Sequence, residues 1–121
     1  MMTLYDIGVR EDITNMIKVQ VNRKKWFRGQ QEGSRLLLMN GKMCCIGFLA
    51  RELRFKPKNI RNVTTLCSVS SDRAYNFVDA HEDALSQAYV VNDQPDIDNV
   101  TREKELKKVG ERMGVQFIFK G

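Results

Sequence analysis

The chain has 121 residues, of which 42 % are hydrophobic and 29 % are charged, and its formal net charge is +5. This length and composition predict a single globular domain over 1–121 and exclude a disordered or fibrous chain. No apolar run approaches the ~18 residues of a membrane span, and residues 1–15 carry four charges and lack the apolar stretch of a signal peptide. We therefore expect a cytoplasmic protein that does not contact a membrane.

The charge is distributed unevenly along the chain. Residues 1–61 hold 13 Lys and Arg against 5 Asp and Glu, a net charge of +8. Residues 62–121 hold 7 against 10, a net charge of −3. A basic half is typical of proteins that bind nucleic acid or an acidic protein.

In chain order, the first predicted elements are a strand, a hairpin and a helix. Residues 17–21 alternate apolar and polar, the period of a half-buried strand. Asn40-Gly41 lies between two apolar runs and predicts a β-hairpin, because both residues tolerate positive φ. A helix is predicted from Cys44 to the residues before Pro57, and Gly47 within it indicates the close approach of another element.

The second half of the chain predicts two helices and a closing strand. Residues 79–91 have one apolar face, and Asp98 can cap a further helix over 99–113 that Gly114 ends. Residues 115–119 alternate again. The fold class is therefore α+β, with a small, mostly antiparallel sheet and about three helices packed on it.

Cysteine chemistry is the main enzymatic alternative. Cys44 and Cys45 are adjacent and do not follow the C-x₂₋₄-C spacing of zinc sites, so no metal site and no cofactor are predicted. A thiol at a helix start, activated by His81, would form a cysteine-dependent enzyme. The simpler interpretation is that both cysteines are small buried hydrophobes. No phosphate loop, G-x-G-x-x-G or H-E-x-x-H motif is present.

Nucleic-acid binding is suggested by one segment that combines basic and aromatic residues. Basic side chains contact phosphates and aromatic rings stack on bases. The alternative is that Trp26 anchors the core, and we favour that interpretation because large aromatic residues dominate core burial. The predicted nucleic-acid residues are Arg23, Lys24, Lys25, Trp26, Phe27 and Arg28.

Three segments resemble short proteins of tailed bacteriophages to which no activity is assigned. Those proteins share a Trp-x-Arg-Gly segment, a Leu-Leu pair and a Met-Cys-Cys-hydrophobic-Gly-Phe segment. The corresponding residues here are Trp26-Phe27-Arg28-Gly29, Ser34-Arg35-Leu36-Leu37 and Gly41-Lys42-Met43-Cys44-Cys45-Ile46-Gly47-Phe48-Leu49. The resemblance implies a phage accessory protein in the cytoplasm of an infected bacterium, and it transfers no catalytic or binding residue.

The leading functional hypothesis is a non-enzymatic phage protein that binds and modulates a bacterial host protein. An inhibitor of host defence, of the anti-CRISPR or anti-restriction type, fits the size of the chain. A homodimer through an exposed strand edge such as 115–119 stays open. The residues expected to bind the partner form two charge patches, one basic (Arg23, Lys24, Lys25, Arg28, Arg54, Lys56 and Lys58) and one acidic (Asp93, Asp96 and Asp98).

Overall fold

A computed structural model describes residues 16–29, 36–38, 40–69 and 71–121. These residues form an α+β fold with a two-stranded sheet and four α-helices of one turn or more. The elements in chain order are β1 (Ile17–Asn22), a 3₁₀ turn (Arg23–Lys25), α1 (Cys45–Glu52), α2 (Pro57–Ile60), a second 3₁₀ turn (Leu66–Ser68), α3 (Asp72–Asp93), α4 (Asn99–Arg112) and β2 (Val115–Lys120).

The sheet consists of β1 and β2, which lie side by side and run parallel. The register pairs Ile17 with Val115 and Asn22 with Lys120. Val19 and Val21 on β1 are buried, as are Val115, Phe117 and Phe119 on β2. The alternation predicted for both strands is thus confirmed, with one face of the sheet against the core and the other exposed.

The predicted antiparallel sheet is wrong. The two strands are separated by all four helices, so no short turn forces the chain to reverse between them. Parallel strands need such a long connection, and the helices within it cover the inner face. At Gly114 (φ 71°) the chain leaves α4 and returns alongside β1 in the same direction. Periodicity predicts a strand and its buried face but not its direction.

The predicted Asn-Gly hairpin is present only as a turn. Leu38 N–H donates to the Lys42 carbonyl (2.7 Å), and Gly41 has φ 86°. The two sides of the turn then separate, because Leu36 N–H donates to Val63 O (2.8 Å) whereas Met43 N–H donates to Lys25 O (3.0 Å). Residues 35 and 39 of the predicted first arm lie outside the described residues. The positive φ expected at Gly41 is confirmed, but the flanks of the turn pair with different segments.

The predicted helices are found, with differences in number and length. α1 begins at Cys45, and a Cβ placed on Gly47 would lie 1.8 Å from the Leu36 carbonyl oxygen, which confirms the predicted close approach. α3 is longer than predicted, starts at Asp72 and has a kink at His81 (φ −131°, ψ 27°). Asp98 caps α4 by accepting a hydrogen bond from Thr101 N–H (2.7 Å). The short α2 makes four helices rather than about three.

All five of the longer elements contribute to one hydrophobic core. Val19, Leu49, Leu85, Leu106 and Phe117, one from each, belong to the same cluster of buried residues. None of the helices in the described residues is long and apolar enough to cross a membrane.

A buried polar cluster fastens the 3₁₀ turn to this core. The Asn92 side chain accepts hydrogen bonds from Trp26 Nε1 (2.8 Å) and from Cys45 N–H (3.0 Å), and donates to the Phe27 carbonyl (3.1 Å). The guanidinium of buried Arg102 donates to four carbonyl groups near the end of α3 and the start of α4 (Val91, Asn92, Gln94 and Ile97). These bonds fix the orientation of the chain that follows β1.

Candidate functional site

An open groove of about 840 Å³ runs beside β1. It is bordered by β1, the first 3₁₀ turn, the second half of α1 and the last two residues of the chain. We call it the basic groove; its charged side chains are Lys18, Lys24, Lys25, Arg51, Glu52 and Lys120.

Each element presents these side chains to the groove for a local reason. Alternation along β1 buries Val19 and Val21 and leaves Lys18 and Gln20 on the exposed side. The Asn22 side chain accepts a hydrogen bond from Lys24 N–H (3.0 Å) and so begins the 3₁₀ turn that exposes the two following lysines. On α1, the first six residues are buried, and only its last two, Arg51 and Glu52, are exposed.

The electrostatic field of the basic groove is strongly positive. Among the described residues, five cationic side chains and one anionic side chain line the groove, a net charge of +4, compared with +5 for the whole chain. All six are exposed to solvent, so salt screens their attraction for a ligand over about 10 Å at 0.1 M. The groove is therefore suited to an anionic ligand that makes several contacts at once.

Two predicted basic residues, Arg23 and Arg28, are engaged elsewhere. Arg23 makes a bidentate ion pair with Glu103 on α4 (2.7 and 2.8 Å). The hydrogen bonds from Arg23 lower the pKa of the Glu103 carboxyl. Arg28 lies over the Trp26 ring (4.5 Å) and donates to the Arg23 and Trp26 carbonyl groups. Both arginines therefore hold the 3₁₀ turn against the rest of the fold.

Trp26 lies in the core, as the favoured interpretation predicted, and so provides no stacking platform at the surface. Trp26 is 4 % exposed, its ring packs 4.8 Å from that of Phe119, and its indole N–H is bonded to Asn92. Phe27 is partly buried, and its backbone pairs with Met43. Of the six residues predicted to bind nucleic acid, only Lys24 and Lys25 line the basic groove.

The other predicted partner-binding residues lie at separate places. Arg54, Lys56 and Lys58 are exposed in the segment after α1, but they are not among the residues that line the groove. Asp93 accepts a hydrogen bond from Asn92 Nδ2 (2.9 Å) at the end of α3, and Asp96 is exposed in the following turn. Asp98 caps α4, and hydrogen bonds from Thr101 lower its pKa.

The cysteines and His81 are not brought together. Cys44 and Cys45 are buried, Cys45 N–H is bonded to the Asn92 side chain, and burial raises the pKa of the Cys45 thiol. His81 packs against Phe77 (4.6 Å), eleven residues before Asn92 on α3, or about 16 Å along a helix. Cys67 is exposed. The described residues contain no group of three or more His, Cys, Asp or Glu placed to hold a metal ion.

Three cationic residues of the basic groove were not among those that the sequence predicted to bind a partner: Lys18, Arg51 and Lys120. The alternation in each strand indicated that Lys18 and Lys120 are exposed. Only the parallel register, which pairs Asn22 with Lys120, brings the end of β2 next to the lysines of the 3₁₀ turn. Without the direction of the sheet, these charges could not be grouped.

No protein-family model, curated protein or solved structure matches the chain. The basic groove is therefore interpreted from its own chemistry. It offers lysine and arginine side chains, one carboxylate and the backbone of β1, and the one aromatic side chain that borders it, Phe48, is only 6 % exposed.

Proposed function

We propose that the chain is a non-enzymatic binding protein that acts by engaging an acidic protein partner through the basic groove. The observation that carries this proposal is the concentration of five cationic side chains from three separate segments around one groove. Such a field accelerates association with an acidic surface and orients it.

The nature of the partner follows from the resemblance to tailed-phage proteins. In that context the partner is a bacterial host protein, and the outcome is modulation of the host, with inhibition of a defence system of the CRISPR or restriction type as the leading case. The resemblance supports the biological setting, whereas the groove supports the chemistry of binding.

Nucleic acid is the second candidate, favoured by the same five cations. Two features favour a protein over nucleic acid. First, Trp26 is buried, so the described residues offer the groove no exposed aromatic ring on which bases stack. Second, Glu52 lies among the cations, where its carboxylate repels phosphate but can pair with a lysine or arginine of a protein.

A pull-down from bacterial lysate, with and without nuclease, tests the proposal. The affinity-tagged chain should retain a stoichiometric protein after nuclease treatment, as identified by mass spectrometry. The double substitution Lys24→Glu, Lys25→Glu should abolish capture, because it changes the net charge of the groove from +4 to 0.

The matched control is Lys104→Glu, Lys108→Glu, which makes the same change in total charge on exposed positions of α4. This variant should capture the partner as the unsubstituted chain does. Equal loss with both variants would mean that total charge, not the groove, governs capture. Two results together would make nucleic acid the ligand. Capture would vanish with nuclease, and a plot of the logarithm of DNA affinity against the logarithm of salt concentration would have a slope near −4, about that of five phosphate contacts.

A further inference from the structure

One edge of β1 has no neighbouring strand in the described part of the chain. The other edge faces β2, where Ile17 N–H donates to the Gly114 carbonyl (2.9 Å). Backbone groups alternate sides along a strand, so Ile17, Val19 and Val21 bond towards β2 in this parallel register. The N–H and C=O groups of Lys18 and Gln20 therefore point to the open edge, whereas the Asn22 carbonyl belongs to the 3₁₀ turn that follows.

This open edge coincides with the basic groove. Lys18 and Gln20 both border the groove, and in the described residues no other segment forms a backbone hydrogen bond with either of them. An unpaired edge is a template for an added strand, since it supplies main-chain hydrogen bonds without regard to sequence. The surrounding lysines and Arg51 add a charge preference to that template.

We propose that an extended acidic segment of the partner adds to β1 as a third strand of the sheet. This inference rests on the proposed function and specifies how the partner binds. Main-chain hydrogen bonds to Lys18 and Gln20 supply affinity. The side chains of Lys18, Lys24, Lys25, Arg51 and Lys120 select carboxylates on the added strand.

A second copy of this chain is a poorer occupant of the β1 edge. Two such edges would bring two grooves of charge +4 together, and like charges destabilise that arrangement. The hollow beside β2 differs from the basic groove in charge, because its charged residues are one lysine and one glutamate, Lys107 and Glu111. The charge around β1 thus specifies an acidic partner at this edge.

The experiment uses a synthetic peptide that alternates Glu and Val over about nine residues, the length of a long strand. Binding is measured by titration calorimetry, and hydrogen exchange of the backbone amides is followed by NMR. The peptide should slow exchange at Lys18 and Gln20 and leave Val19 and Val21 unchanged, because the latter already bond to β2. Lys24→Glu, Lys25→Glu should weaken binding by roughly tenfold or more, whereas Lys104→Glu, Lys108→Glu should not.

Two N-methylated peptides distinguish strand addition from simple charge attraction. One peptide carries an N-methyl group on every Glu and the other on every Val. The two peptides have the same charge, but each loses the N–H groups along a different edge of its strand. Strand addition predicts that one peptide keeps its affinity and the other loses roughly tenfold or more.

Equal affinities of the two methylated peptides, or no binding of the parent peptide, would overturn strand addition. The proposed function would survive that result if Lys24→Glu, Lys25→Glu still abolished capture of a protein from lysate. If that variant captured the protein normally, the proposed function would itself fail.

Discussion

Asn92 shows how one buried polar side chain can join distant parts of the chain. Its amide bonds to Trp26, Phe27 and Cys45, which lie 47 or more residues away in sequence. The backbone carbonyl of Asn92 accepts hydrogen bonds from Gly29 N–H (2.8 Å) and from the Arg102 guanidinium. A buried polar group is tolerated only when it is hydrogen-bonded, and here the bonds position the segment that carries Lys24 and Lys25.

Replacing Asn92 by Ala should lower the free energy of unfolding by about 2–4 kcal/mol. The substitution leaves the Trp26 indole N–H and the Cys45 N–H buried without this acceptor, and each such group costs about 1–3 kcal/mol. Urea unfolding followed by circular dichroism measures the change. Asn76→Ala, at an exposed position of the same helix, should stay within about 0.5 kcal/mol of the unsubstituted chain. Equal effects of the two substitutions would contradict the assigned role.

The contacts of single residues also explain why the six residues predicted to bind nucleic acid, 23–28, do not form one surface. Arg23 and Arg28 turn towards Glu103 and Trp26, whereas Lys24 and Lys25 turn towards the basic groove. A guanidinium is planar and can bond a carboxylate with two nitrogens or lie flat on a ring, as these two arginines do. The lysines that remain exposed are the better candidates for binding a ligand.

The position of helix α1 depends on Gly47, because a residue without a side chain is needed at this point. The helix approaches the Leu36 backbone so closely that an added Cβ would meet the Leu36 carbonyl oxygen at 1.8 Å. The same helix carries Arg51 and Glu52 at its exposed end, so its position sets one side of the basic groove.

Gly47→Ala should destabilise the chain by about 1–3 kcal/mol, because overpacking forces the helix and the 36–38 segment apart. Alanine is otherwise favoured over glycine within a helix by about 1 kcal/mol, so the sign of the effect is diagnostic. Thermal or urea unfolding provides the measurement. For comparison, Gly114→Ala meets no atom within 4 Å and should show only the cost of φ 71° in a residue with a side chain. A more stable Gly47→Ala variant would show that α1 and Leu36 are not in contact.

The helices and strands of the described residues share one core, so we expect their structure to be lost in one step. Trp26, the only tryptophan, contacts Phe119 on β2, Asn92 on α3 and Arg28. Its fluorescence thus reports on the sheet and on α3 together, while circular dichroism at 222 nm reports on the helices.

We expect the two signals to change at the same urea concentration, as in a two-state domain of this size. Emission from native Trp26 should be typical of a buried indole, because the side chain is 4 % exposed. The measurement is a pair of unfolding curves on one sample, and Gly41→Ala, which places a side chain on a residue with φ 86°, should lower both midpoints together. Separate midpoints for the two signals would divide the chain into independent units and contradict a single core.

The sequence by itself determined the elements whose signals are local. Alternation predicted β1 and β2, Asp98 and Gly114 predicted the ends of α4, and Gly47 predicted a close approach within α1. These features depend on residues within a few positions of one another, so periodicity and capping chemistry are sufficient to predict them. The exposure of Lys18 and Lys120 could be predicted in the same way.

The tertiary structure alone decided how these elements meet. It made the sheet parallel, separated the two sides of the Asn40-Gly41 turn, and gave Trp26, which the sequence already favoured as a core residue, its neighbours Phe119 and Asn92. Each outcome depends on contacts between residues tens of positions apart, for which a single sequence carries no local signal. The basic groove is such an outcome, because three separated segments supply its charges and only the register of β1 with β2 brings Lys120 to the side where Lys24 and Lys25 lie.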